Sequence, residues 1–116
     1  MLQHGNSYRK AEEYALAVAD YSQVINVDPN HQDALYWRAW CYDELGDNEK
    51  ALADLNRLIE LNPNYSSGAY NNRGIVYENL GALDKALADY NKALELDPNN
   101  EIAKNNRQRV LDKLKK

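Results

Sequence analysis

No disulfide can form within this chain, because its only cysteine is Cys41. Three prolines and five glycines in 116 residues are too few for an all-β chain with a turn every few residues. No apolar run approaches the roughly 20 residues that a membrane-spanning helix requires. The opening MLQHGNSYRK lacks the apolar centre of a secretory signal. The expectation from these absences is a cytoplasmic chain with no membrane partner. Phenylalanine is missing altogether while tyrosine occurs nine times, so tyrosine carries much of the aromatic packing. Basic charge is scarce as well: residues 1–100 hold 8 Lys and Arg against 16 Asp and Glu, a net of −8. Nucleic-acid phosphates need a basic surface, so that class of partner is disfavoured. Only residues 101–116 are basic, with a net of +4.

What the sequence does contain is a period. Pro29, Pro63 and Pro98 stand 34 and 35 residues apart, and the same two intervals separate Tyr8, Tyr42 and Tyr77, and Ala17, Ala51 and Ala86. The strings GDNEKALADLNRLIELNPN and GALDKALADYNKALELDPN are near copies, and ALAVADYSQVINVDPN is a more distant third. A period of this length marks an array of small stacked units. Within each period, apolar and small residues recur at helical spacing on either side of a break. Gly46 and Gly81 supply left-handed stops, Asp47 caps the helix that follows Gly46, and each Asn-Pro or Asp-Pro closes a unit. The spacing predicts helices over 2–10, 14–27, 32–45, 48–61, 66–80, 83–96 and 101–115, with Asn99 or Asn100 capping the last.

Over essentially its whole length this pattern resembles the tetratricopeptide repeat family. The small residues Gly5, Ala39 and Gly74, together with Ala17, Ala51 and Ala86, match the family's close-packing positions. Tyr8, Tyr42 and Tyr77, then Tyr21, Leu55 and Tyr90, match its large ones. Val24 and Leu58 depart from the expected alanine, which Ala93 keeps. The resemblance implies an all-α fold, a right-handed α-solenoid of three helix-turn-helix units plus a C-terminal capping helix. The units are expected at 1–31 (N-terminally clipped), 32–65 and 66–100, with the cap at 101–116. A first unit clipped in this way leads to the expectation that the chain is a piece of a longer protein. One extra residue in NPNYSSGAY falls in a loop and is expected to be neutral.

In this family the first helix of each unit lines a concave groove. The positions that face it here are Asp33, Tyr36, Trp37, Trp40, Asp43 and Glu44 in the middle unit, and Asn71, Asn72, Ile75, Glu78 and Asn79 in the next. The cap adds Asn105, Asn106, Arg109 and Asp112, and the clipped unit Leu2, Asn6 and Arg9. Two tryptophans one turn apart, away from the positions used for the core, are candidate anchors for a ligand. Asn72 and Asn106 are candidate clamps for a peptide backbone, since an amide both donates and accepts. Relatives that grip acidic C-terminal tails use Lys, Asn and Arg at places held here by Leu2, Asn6, Trp37, Gly68 and Asn72. Only Asn6 conforms. The expected partner is therefore a neutral or basic peptide with an apolar anchor. The alternative is a structural module that forms a homo-oligomer through the groove or the uncapped N-terminal face.

Arginine recurs beside these groove positions at Arg38, Arg73 and Arg107. An aspartate follows the first two by 16 residues, at Asp54 and Asp89, and His4 stands in the same relation to Asp20. Partly buried ion pairs joining the two helices of a unit are expected, with Arg107 freer. His4 and His31 are isolated, Cys41 is expected as a small core residue, and no metal-ligand cluster or glycine-rich phosphate loop is present. No cofactor and no enzymatic activity are expected.

Overall fold

The computed structural model describes residues 2–115, with side chains described from residue 10 onward. Among the described residues the chain is all-α. Its six helices are α1 (Leu2–Val27), α2 (Gln32–Glu44), α3 (Asn48–Leu61), α4 (Ser67–Asn79), α5 (Leu83–Leu96) and α6 (Glu101–Leu114). They group into two compact units, 1–58 and 59–116. No helix of the described residues is long and apolar enough to cross a membrane.

The stops behave as the sequence dictates at two places and not at a third. Gly46 and Gly81 take φ of +81° and +83°, a left-handed turn that a Cβ would disfavour. In the first period that slot falls to Glu12, a strong helix former that disfavours positive φ. The break expected between 10 and 14 is therefore absent, and α1 is one continuous helix of 26 residues.

The helix starts are fixed by side chains in a recurring slot. Ser66 and Asn100 accept the amides of Ala69 and Ala103 at 3.1 Å. In the matching slot before α2, His31 Nδ1 accepts the amide of Ala34, also at 3.1 Å. That makes His31 an N-cap, a role its isolation in the sequence conceals.

In the first unit α1 packs on α2, and α2 is tied to α3 by a fork. Arg38 Nε and Nη2 donate to the two carboxylate oxygens of Asp54 at 2.8 and 2.6 Å, while Nη1 donates to Ser22 Oγ on α1. Ala34, Leu35, Ala39, Cys41, Ala51, Leu55 and Leu58 form the interior. Burial, and secondarily Glu44, pushes the Cys41 thiol up, away from the thiolate form.

The second unit repeats the device between α4 and α5. Arg73 Nε and Nη2 each reach an oxygen of Asp89 at 2.8 Å. The guanidinium also lies 5.6 and 5.7 Å from the rings of Tyr70 and Tyr77. Tyr70 packs with Ala93 and Ala103, and Tyr90 with Ala86 and Val110, so α6 closes both clusters. Tyr70 also donates its hydroxyl to Pro63 O across the loop that carries the extra residue. His4 lies outside the described side chains, and Arg107 meets Asn91 through a hydrogen bond of 3.3 Å.

Removing one partner of such a pair strands the other. Arg73→Ala is expected to cost about 1–3 kcal/mol by leaving Asp89, only 4% exposed, without its counter-charge. Urea denaturation of Arg73→Ala and of Arg73→Leu/Asp89→Leu checks this. The double variant is expected to be the more stable of the two.

Candidate functional site

The first unit presents an aromatic surface on α2. Ala34, Leu35 and Ala39 turn one side of that helix into the interior, and on the other side stand Asp33, Tyr36, Trp37, Trp40 and Asp43. The rings form a chain of edge-to-face contacts. Tyr36 and Trp37 have centroids 5.0 Å apart, Trp37 and Trp40 are 6.2 Å apart, and Trp40 meets Tyr14 of α1 at 5.4 Å. Contacts of this geometry hold each ring in place without hiding it. Trp37 remains 46% exposed, and Trp40 is half-buried.

The surroundings of these rings are acidic. Asp33 and Glu44 are exposed and Asp43 is half-buried. Burial, and then the neighbouring Glu44, pushes the Asp43 carboxyl up. A cation placed beside it would relieve both effects. Arg38, the one basic residue of α2, is committed to Asp54. A polar depression of about 310 Å³ lies at the α1–α2 turn, lined by Asp28, Asn30, His31, Gln32 and Asp33. Among the described residues no group of three or more His, Cys, Asp or Glu could hold a metal ion.

In the second unit the expected groove residues divide. Asn71 and Asn106 are 6% and 7% exposed, and Asn106 Nδ2 donates to Asn71 Oδ1 at 3.0 Å. Their amides join α4 to α6 instead of standing open to a ligand, which corrects the expectation that Asn106 clamps a peptide backbone. A contact made by two residues 35 positions apart has no local sequence signal. Ile75 packs against the cluster around Tyr90. Asn79 and Asn105 are exposed. Asn72 is half-buried, and its Nδ2 is a buried donor with no hydrogen-bond partner. An unsatisfied donor of this kind costs about 1–3 kcal/mol. Leu2, Asn6 and Arg9 lie outside the described side chains.

Glu78 and Arg109 meet directly. Arg109 Nε and Nη2 donate to the two oxygens of Glu78 at 2.7 Å, Lys113 Nζ reaches Oε2 at 2.8 Å, and the Tyr90 hydroxyl donates to Oε1 at 2.8 Å. Hydrogen bonds from Arg109 outweigh the opposing effect of burial, and with those from Lys113 and Tyr90 they hold the carboxyl at about 2. Tyr90, buried and bonded to that carboxylate, is pushed well above its usual range. Lys113 and Tyr90 are members that sequence reasoning missed. One signal was available: Arg109 and Lys113 are four residues apart and so share a face of α6.

Comparison with known proteins adds the following. Tetratricopeptide repeat profiles match residues 2–66 and 67–100. Hsp70-Hsp90 organizing protein 3 of Arabidopsis thaliana is 38% identical over 72 residues, which are 62% of this chain and 13% of that protein. Heat shock protein STI1 of Saccharomyces cerevisiae is 38% identical over 73 residues, 62% of this chain and 12% of that protein. The matched segment thus spans only about an eighth of these relatives' length. Among solved structures, the first TPR of Spaghetti (RPAP3) bound to the HSP90 peptide SRMEEVD has a TM-score of 0.87 at 32% identity, covering 98% of this chain and 90% of that one. The second TPR domain of human RPAP3, in complex with the HSP70 peptide SGPTIEEVD, has a TM-score of 0.80 at 29% identity, covering 93% and 89%.

Proposed function

The chain belongs to the tetratricopeptide repeat family, and from that footing we propose that it is a noncatalytic scaffold holding a peptide segment of a partner protein, with Trp37 and Trp40 as the anchor site. The observation that carries this reading is the position of the two indoles. They stand on the side of α2 away from its core, braced by Tyr14 and Tyr36, with Trp37 nearly half exposed. A large, immobilised aromatic surface loses little entropy when it is covered, which is why such residues dominate binding energetics.

Charge favours a neutral or basic ligand with an apolar residue opposite the indoles. Asp33, Asp43 and Glu44 flank the rings, and a cation beside Asp43 would ease its burial. The solved relatives are bound to peptides ending in EEVD. An acidic tail of that kind would meet like charge on α2 here. Asn72, the other candidate clamp, meets a backbone carbonyl only if its amide turns outward, since its Nδ2 is buried as it stands.

The test is affinity. Peptides are selected from a displayed random library, and their binding to the parent and to Trp37→Ala and Trp40→Ala is measured by calorimetry. Each substitution is expected to weaken binding at least tenfold, about 1.4 kcal/mol. SRMEEVD, used as the acidic comparator, is expected to bind more weakly than the selected peptides. Unchanged affinity in a variant that keeps its helical content would remove the anchor from this account.

A further inference from the structure

Taking the peptide reading as its footing, we infer that the anchor site receives an arginine side chain of the partner. The guanidinium lies on the indole faces of Trp37 and Trp40, with Asp33 and Glu44 as its counter-charges. Helix geometry places those acids. Asp33 precedes Trp37 by four residues and Glu44 follows Trp40 by four, so each stands one turn from an indole on the same face of α2. Both acids are exposed. The indole pair is thus bracketed by negative charge at both ends along the helix.

The rings themselves favour a cation. Trp37 and Trp40 meet at 76°, Trp40 and Tyr14 at 80°, and Tyr36 and Trp37 at 81°. Rings set nearly at right angles form corners, in which one face floors a guest and the next walls it. Aromatic faces carry the negative part of the ring quadrupole, so such a corner attracts positive charge. Burial, and then Glu44, already pushes the Asp43 carboxyl up beside it, and a cation would bring it back down.

A guanidinium suits the site better than an ammonium. It is flat, so it can lie on an indole and still donate from its edge to a carboxylate; an ammonium is a compact, strongly hydrated point charge. The methylene stem of the arginine supplies the apolar contact opposite the indoles. The chain uses the same arrangement internally. Arg38 lies 5.6 Å from the centroid of the Tyr42 ring while it forks onto Asp54. Arg73 does the same between Tyr70, Tyr77 and Asp89.

The test uses the tightest peptide from the displayed library. It is resynthesised with each arginine in turn replaced by lysine or by citrulline, the uncharged isostere, and titrated into the whole chain. At one position citrulline is expected to weaken binding at least about tenfold. Lysine there is expected to weaken it less, since it keeps the charge without the flat face. The arginine-to-citrulline difference is expected to shrink severalfold in Trp37→Ala and in Asp33→Asn/Glu44→Gln. A selected peptide without arginine, citrulline that binds as tightly as arginine, or lysine that binds more tightly overturns the inference. If that same peptide still loses affinity on Trp37→Ala, the anchor stands and only its occupant is wrong. If Trp37→Ala and Trp40→Ala leave its affinity unchanged, the peptide reading falls too.

Discussion

Gly74→Ala is expected to destabilise the second unit by about 2–3 kcal/mol, the upper part of the range for overpacking a close-packed core. A Cβ at residue 74 would lie 2.6 Å from Tyr90 Cε1, 2.8 Å from Cδ1 and 3.0 Å from Cζ. The ring has nowhere to retreat. Tyr90 is fully buried against Ala86 and Val110, and its hydroxyl is tied to Glu78 at 2.8 Å. The same two slots in the middle of the chain hold Ala39 and Leu55, both buried, so a larger residue at the first accompanies a smaller one at the second. Gly74→Ala/Tyr90→Leu is therefore expected to recover part of the loss. In a double-mutant cycle read by urea denaturation, the coupling between the two sites is expected to exceed about 1 kcal/mol. Additive effects would mean that the ring moves aside freely.

Glu78→Gln is expected to loosen α6 from the second unit and to remove a large part of that unit's dependence on acid. The carboxylate side chain is 7% exposed and carries four hydrogen bonds, from Arg109 twice, Lys113 and Tyr90. Its folded pKa of about 2 lies below its ordinary value of 4.5. A depressed carboxyl contributes stability that is fully present above the unfolded pKa and is lost as pH falls through the folded one. The window therefore runs from about pH 4.5 down to about 2, and the contribution is of order 3 kcal/mol. Thermal melts across that window are expected to show a steep loss for the parent and a shallower one for Glu78→Gln, which starts lower at neutral pH. Equal slopes would assign the acid sensitivity to other carboxylates.

Much of the fold was legible because it repeats. Gly46 and Gly81 and the two Arg–Asp forks occur at the interval set by the period, so each supports the others, and Asn100 is one of the two caps expected for the last helix. The first period was misread for the same reason. Periodicity predicts a hairpin there, but a turn is decided by one residue's tolerance for positive φ, and Glu12 lacks it. The candidate site was legible in part. The two indoles stand out on α2 because residues that cannot all face the core must face elsewhere. Asn71 and Asn106 could not be assigned in advance, since whether an amide faces solvent or another amide depends on how α6 approaches α4. The charge state of the Glu78 surroundings could not be read from its position, because the cations that neutralise it, Arg109 and Lys113, come from a different helix.

Tryptophan emission tests the central claim most directly, as Trp37 and Trp40 are the only indoles in the chain. Titration of the parent with a peptide selected from the displayed library is expected to shift emission to shorter wavelength, saturating at the stoichiometry found by calorimetry. Saturable binding by calorimetry with no change in emission would place the ligand away from these rings and contradict the account.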